Sequence, residues 1–415
     1  MTSTVGNENS ATRILFPDTA DQREFEAVCH ELRERAPVVC LELPDGLTAW
    51  VITRYAEGRR AMTDPRLIKD LRRMSDPAHG LGGGRYAEDP FVVEGRHMLN
   101  SDGEEHLRLR KVVAAELTPA AVNRRRPEIE QVCRAQVARF RESETTDLMA
   151  SYARPVPELV MARVLGIPDD TLRAAAVHSR RLGERESPST PSMRNAYNQL
   201  LDMIIDVARD PAAAPAGSVL EALHRARAEK MINKRELLST VMMLLGAGIS
   251  STAIGIGYGA LTVLRTAETM RELLADEPAA KAFVEELLRY HPPFPFSPWR
   301  FAREEVTIEG VTIPAGAVVF ILLAAVNHDP ALGADVGELL PQQGGRPAHL
   351  TFGYGAHFCI GAHLARTEIE IALRVLFEEL PQLRIVSDDT ESGWRGLLFD
   401  RTPNELTVAP GPGAR

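Results

Sequence analysis

The stretch FGYGAHFCIGAHLAR, Phe352–Arg366, sets three glycines, two histidines and one cysteine ahead of a segment with helical spacing. A structural disulfide needs no such backbone freedom, whereas a thiolate inside a protein needs N–H donors and positive charge around it. Gly353, Gly355 and Gly361 let the chain curl so that backbone N–H groups turn inward. A helix beginning near Ala362 would place its positive end beside Cys359. These features suit a metal-bound thiolate.

Two other readings of the cysteine stand beside that one. The first is an inert buried thiol. The second is a zinc site of His357, Cys359 and His363, for which no fourth ligand lies close in sequence. A single thiolate suits haem iron. Cys29, Cys40 and Cys133 are scattered without CxxC spacing, so neither a disulfide framework nor a zinc ribbon is expected.

The 415 residues contain no linker-like tract, and 44% hydrophobic with 25% charged residues is globular composition. A net charge of −9 argues against a nucleic-acid partner. No run of about 18 apolar residues occurs, and the start, MTSTVGNENSATR, lacks the basic and apolar regions of a signal peptide. The expectation is a cytoplasmic protein with no membrane partner. Residues 1–12 and 409–415 read as flexible tails around one domain, 13–408.

Helical periodicity runs over Gln22–Glu34, Glu105–Glu116, Pro127–Phe140, Pro157–Leu165, Ser192–Ala208, Lys234–Thr266, Ala279–Tyr290 and Ala362–Leu380. APVVCLEL, TAWVIT and VTIEGVTI read as short strands. A mainly α, helix-rich fold with small β-sheets follows. The segment Lys234–Thr266 is apolar on most faces, as a long buried central helix would be. Its glycines predict that something comes close to that backbone.

FGYGAHFCIG resembles the haem-binding loop of the cytochrome P450 family, Phe-Gly-x-Gly-x-His-x-Cys-x-Gly. Phe352, Gly353, Gly355, His357, Cys359 and Gly361 fill every position. The resemblance implies a cytochrome P450 fold and haem b with Cys359 as axial ligand to the iron. It also implies Phe352 packed beside the thiolate, and His357 and Arg366 at the haem periphery. Glu286 and Arg289 in EELLRY, alone, could be an ordinary i,i+3 ion pair. Followed by HPP, they resemble the family's Glu-x-x-Arg pair, a structural network behind the haem. A third partner is expected in LPQQGGRP, where only Arg346 stands near its place. Haem propionates require cations; by family register these are His106 and Arg110 in EEHLRLRKVV, Arg300, and His349 in HLTFG.

At the oxygen pocket the family reads Ala/Gly-Gly-x-Asp/Glu-Thr. Here Ala247-Gly248-Ile249-Ser250-Ser251-Thr252 stands in that place, with Ala247 and Gly248 against the cofactor. Ser250 takes the acid's position and Ser251 the alcohol's; a one-residue shift gives the latter role to Thr252. Serine can hold a water but offers no ionisable carboxyl. Either waters with Ser251 and Thr252 complete a proton relay, or hydrogens are abstracted without oxygen insertion, as in cyclodipeptide-coupling members of the family. The Arg-Pro pair of the family's fatty-acid peroxygenases is absent.

By family position the substrate pocket takes the Gly-rich loop Ser75–Met98, helices from about Thr171 to Ala208, and Met243, Ala247, Phe294, Phe296, Ser297, Leu398 and Phe399. The resemblance implies a monomeric haem-thiolate monooxygenase. It would hydroxylate or epoxidise a small specialised metabolite with dioxygen, using electrons from a ferredoxin and its reductase. Arg108 and Lys111 would attract the acidic donor. The alternative is oxidative C–C or C–N coupling, and a non-catalytic haem-binding protein is a third reading.

Overall fold

Helix caps set the boundaries of most long elements in the computed structural model, which describes residues 14–17, 19, 21–43, 48–73, 95–182, 190–266, 269–333, 335–340, 348–386, 394–395 and 401–411. The helices are α1 (Gln22–Arg35), α2 (Tyr55–Ala61), α3 (Gly103–Ala114), α4 (Pro119–Phe140), α5 (Pro155–Leu165), α6 (Asp169–Leu182) and α7 (Pro191–Val207). There follow α8 (Val219–Ala228), α9 (Lys234–Gly248), α10 (Ser250–Arg265), α11 (Thr269–Ala275), α12 (Glu277–Tyr290), α13 (Leu323–Val326) and α14 (Ala362–Glu379). Helix α4 starts well before the expected Pro127. Thr118 Oγ1 accepts the Ala121 N–H at 3.3 Å, and Pro119 occupies the first turn, where its missing N–H costs nothing.

Helix α9 opens with a capping box, Glu236 N–H donating to Asn233 Oδ1 at 2.9 Å and Asn233 N–H to Glu236 Oε2 at 2.8 Å. The helix expected over Lys234–Thr266 is broken at Ile249 into α9 and α10. Ser251 and Thr252 hydroxyls bond back to the Ala247 and Gly248 carbonyls at 3.0 and 3.2 Å, a pattern that bends helices. An 18-residue window within Lys234–Arg265 has a mean hydropathy of 1.7, enough to cross a membrane by length and composition, but most of that window is buried in the core.

The close neighbour anticipated for this segment is α14. A Cβ on Gly255 would lie 2.6 Å from Ile369 Cδ1, and one on Gly259 would lie 2.5 Å from Leu373 Cδ1. Both pairs are spaced i,i+4, so ridge meets groove along the two axes. Gly259→Ala should therefore destabilise the protein by about 1–3 kcal/mol through overpacking. Urea unfolding checks this, and an unchanged midpoint would contradict the close approach.

The strands are β1 (Ile14–Leu15), β2 (Val38–Glu42), β3 (Thr48–Ile52), β4 (Leu67–Ile68), β5 (Thr146–Asp147), β6 (Arg300–Ala302) and β7 (Val306–Ile308). The rest are β8 (Val311–Ile313), β9 (Val318–Ile321), β10 (Arg384–Ile385), β11 (Trp394–Arg395), β12 (Thr402–Pro403) and β13 (Thr407–Ala409). One sheet has the order β1-β2-β3-β9-β6-β4; small sheets β10-β13-β5, β11-β12 and β7-β8 complete the set. VTIEGVTI is the β7–β8 hairpin, turning at Glu309 and Gly310, both with positive φ. Strand β13 pairs Ala409 with Arg384, one residue into the expected C-terminal tail. The mainly α fold with small sheets is as expected.

Candidate active site

Cys359 lies where a tight loop turns into α14. Gly353 and Gly355 have φ of +74° and +79°, and a Cβ on Gly355 would stand 2.7 Å from Thr63 Cγ2. The Gly353 N–H donates to Leu350 O and the Cys359 N–H to Phe352 O, both at 2.8 Å. Gly361 serves differently: its φ is an ordinary −87°, and its N–H bonds the sulfur. Cys359 is open to a cavity, while protein packs around it otherwise. That enclosure raises the thiol pKa, opposed by the Gly361 N–H, Arg110 and Arg366. Cys29, Cys40 and Cys133 are buried and form no disulfide among the described residues.

One side of the cavity carries cations. His106 and Arg110 reach it from α3, Arg300 from β6 and His357 from the cysteine loop. The Arg110 Nη2 donates to Phe358 O at 2.7 Å. Arg300 donates to Met62 O at 2.9 Å and Leu67 O at 3.2 Å. The His106 and His357 rings are 4.1 Å apart, and His106 Nε2 is buried with no hydrogen-bond partner. Burial pulls the His357 pKa down to about 4, against the pull of Asp102 Oδ1, 3.7 Å from Nε2. His349 is not among the lining residues, and its Nε2, like that of His106, is buried without a hydrogen-bond partner. Its Nε2 lies 3.5 Å from Glu285 Oε2, a carboxylate that also holds Arg366, whose guanidinium carbon sits 4.3 Å above the Phe352 ring.

The rest of the lining is apolar with a few hydroxyls. Met243, Ala247, Gly248, Ser251 and Thr252 line it from α9 and α10, with Phe294 and Ser297 from the proline-rich segment. Two expected residues are elsewhere. Ser250, just past the helix break, does not line the cavity, and Phe296 packs edge-on between Phe16 and Phe320, with ring centroids at 5.5 and 5.9 Å. Leu398, Phe399, Arg346 and most of the Gly-rich loop lie outside the described residues.

Beside apolar wall residues such as Leu99 and Met161, two charged cavity residues went unnoticed in the sequence. Lys69 lines it beside Arg300, and Glu368 enters from α14. Glu368 is 1% exposed, its Oε2 has no partner, and burial holds its pKa well above the usual carboxylate range. Their spacing from the cysteine motif carries no signal, because each gains its meaning from the fold.

Behind the cavity, Arg289 Nε and Nη2 donate to Glu286 Oε2 and Oε1, each at 2.8 Å. The same guanidinium reaches the carbonyls of Asn327, Val336 and Glu338 at 2.8–2.9 Å. On the outer surface Arg108 is committed inward: Nη2 donates to Glu236 Oε1 at 2.6 Å and Nη1 to Met231 O at 2.7 Å. Lys111 is exposed.

A model of the family described as cytochrome P450 matches residues 187–382. The chain is 34% identical over 404 residues to a vitamin D(3) 25-hydroxylase of Pseudonocardia autotrophica, covering 96% of each chain. It is 32% identical to 6-deoxyerythronolide B hydroxylase of Saccharopolyspora erythraea, covering 91% of this chain and 94% of that one. The chain belongs to the cytochrome P450 family. Among solved structures, the P450 enzyme CxnD for C–S bond formation in chuangxinmycin biosynthesis superposes with a TM-score of 0.86 at 27% identity, over 94% of this chain and 95% of that one.

As a P450, the protein binds haem b through the thiolate of Cys359 and is a monooxygenase-class oxidoreductase. The residues fit the cofactor. A sulfur with an N–H donor faces a cation-rimmed cavity, and the unpartnered His106 Nε2 is the polar atom that a buried propionate would satisfy.

Proposed function

We propose that this P450, a single domain over residues 13–408, hydroxylates or epoxidises a neutral, lipophilic specialised metabolite with dioxygen. The observation that carries the reading is one cavity shared by Cys359, the hydroxyls at the α9–α10 break, and an apolar wall of Met98, Leu99, Met161, Met243 and Phe294. Haem supplies the oxidising chemistry, its thiolate ligand pushing electron density toward O–O cleavage. The protein's part is orientation, exclusion of water and delivery of protons. Met161, whose Sδ lies 3.0 Å from where a Gly248 Cβ would stand, closes one side with an adaptable thioether.

Protons are handled by side chains the family pattern does not place at position 250. Ser251 Oγ and Thr252 Oγ1 donate to backbone carbonyls, which leaves their lone pairs free to accept. The Glu368 carboxyl is kept protonated by burial and holds the transferable proton. His106, Arg110, Arg300 and His357 anchor the propionates. Electrons come singly from a ferredoxin docking on the cysteine-loop face, where Lys111 rather than Arg108 offers free charge. The protein works as a cytoplasmic monomer.

A second reading, oxidative coupling without oxygen insertion, is supported by the serine in the acid's position and by the C–S-bond-forming P450 among the similar structures. Turnover with surrogate ferredoxin and reductase under labelled dioxygen separates the two. Label in the product is expected. An unlabelled product two hydrogens lighter would establish coupling or desaturation instead.

A further inference from the structure

Strand β4 runs antiparallel to β6 in the register Leu67 to Ala302 and Ile68 to Phe301, which carries Lys69 to the place opposite Arg300. Residues opposed across a strand pair share a face, and both side chains line the cavity that Cys359 faces. Lys69 is 3% exposed and Arg300 6%. Like charges directly opposed are unfavourable, and burial adds to the cost.

Neither cation ends on a carboxylate. The Lys69 Nζ donates to Pro298 O at 3.0 Å and Trp299 O at 2.7 Å, which leaves one of its three N–H groups unassigned. Arg300 uses Nη1 and Nη2 once each on the Leu67 and Met62 carbonyls, with further N–H groups to spare. The neighbouring acid, Asp102, accepts the backbone N–H groups of Lys69 and Asp70 at 3.0 and 2.9 Å and faces His357. Burial therefore depresses the pKa of both groups, Arg300 to about 10, with Asp102 offsetting only part of the effect.

We infer that Lys69 and Arg300 form a two-cation clamp for one carboxylate of the bound haem, which makes Lys69 a cofactor anchor. The inference rests on the haem reading of the cavity and adds to it the residue that supplies the missing counter-charge relation. In this arrangement the lysine is a burden to the empty cavity and an asset to the filled one. Its effect belongs on haem retention rather than on the fold. A lysine serving only to tie the Pro298 and Trp299 carbonyls would have no such dependence on the haem carboxylates.

The test is the rate of haem release from the holoprotein to excess haem-free myoglobin at neutral pH. Lys69→Met should release haem about tenfold faster than wild type, the loss expected for one charge-assisted hydrogen bond. Lys69→Arg should stay within about threefold of wild type. Lys69→Gln, which can still donate to the carbonyls, replaces the methionine variant if that fails to fold. Each protein is also loaded with haem whose carboxylates are methyl esters. Esterification should speed release from wild type by about tenfold more than from the lysine-free variant, because the bond is already lost in the latter. An equal effect in both backgrounds, or unchanged release from Lys69→Met, would overturn the clamp. The reduced carbon-monoxide spectrum keeps the failures apart. A wild-type protein without a thiolate-ligated haem spectrum would remove the haem reading itself, whereas an intact spectrum with unchanged release removes Lys69 alone.

Discussion

Replacing Glu368 by glutamine should lower product formation by about a hundredfold while leaving the haem spectrum in place. The expectation follows from what shares the cavity with it. Ser251 and Thr252 present hydroxyls there, and Ser250, which the resemblance sets at the family's carboxyl position, does not line the cavity. Glu368 is the acid that lines the cavity among the described residues, with its Oε2 unpartnered. Glutamine keeps the shape and an acceptor but has no transferable proton, and loss of a positioned acid typically costs about 10²–10⁴ in rate. Product formed per NADPH consumed is the measurement, with the solvent isotope effect as a second readout. Ser250→Ala should leave both within about twofold. Undiminished coupling in Glu368→Gln would remove the carboxyl from proton delivery.

The same substitution has a consequence of opposite sign for stability. Burial raises the Glu368 pKa above its ordinary 4.5, so in the fold it keeps a proton that the unfolded chain gives up. Its contribution to stability is fully present below about pH 4.5 and is lost as pH rises toward the folded value, because the native state then binds more protons than the unfolded one. Glutamine carries no such dependence. The melting temperature of Glu368→Gln relative to wild type should rise as pH is raised above about 4.5. A less active but more stable variant is the pattern of a group retained for chemistry at the expense of the fold.

How far this site could be read from the sequence depended on whether a residue's role is local. The cysteine loop was legible because each position answers a demand of its neighbours. Gly353 and Gly355 adopt positive φ, and Gly361 donates to a sulfur two residues away. Most long helices were legible by period, but α6, at 14 residues, and the shorter α2, α8, α11 and α13 were not among the periodic segments. Phe294 and Phe296 looked equivalent. In a segment with four prolines no regular alternation applies, and the second ring turns into the core against Phe16, far away in the chain. At position 250 the break at Ile249 decides which hydroxyl faces the cavity, and Ser251 and Thr252 line it. His349 has Glu285 Oε2 at 3.5 Å, and Lys69 was brought opposite Arg300 by strand pairing. Such long-range partners leave no trace in spacing.

Arg289→Met and Glu286→Leu should each destabilise the protein by about 3–5 kcal/mol, the usual cost of leaving one member of a buried ion pair alone. The arginine should be the worse loss. It is 2% exposed and serves three backbone carbonyls besides the carboxylate, so its removal strips three carbonyls of a donor and the carboxylate of its counter-charge. Removal of Glu286 strands a cation that keeps the carbonyls, along with the Leu340 N–H that the carboxylate accepts at 3.1 Å. The effect should extend to haem retention. Asn327, whose carbonyl Arg289 holds, accepts the Leu350 N–H and donates to Thr351 Oγ1, each at 2.8 Å, and Thr351 Oγ1 donates to Leu288 O at 2.7 Å. These bonds tie α12 to the root of the Cys359 loop. The double variant should cost less than the sum of the singles by at least about 1 kcal/mol, because no uncompensated charge remains. Strict additivity in denaturant midpoints would show that the two side chains act independently, and the loop would then be held by the Asn327 bonds alone.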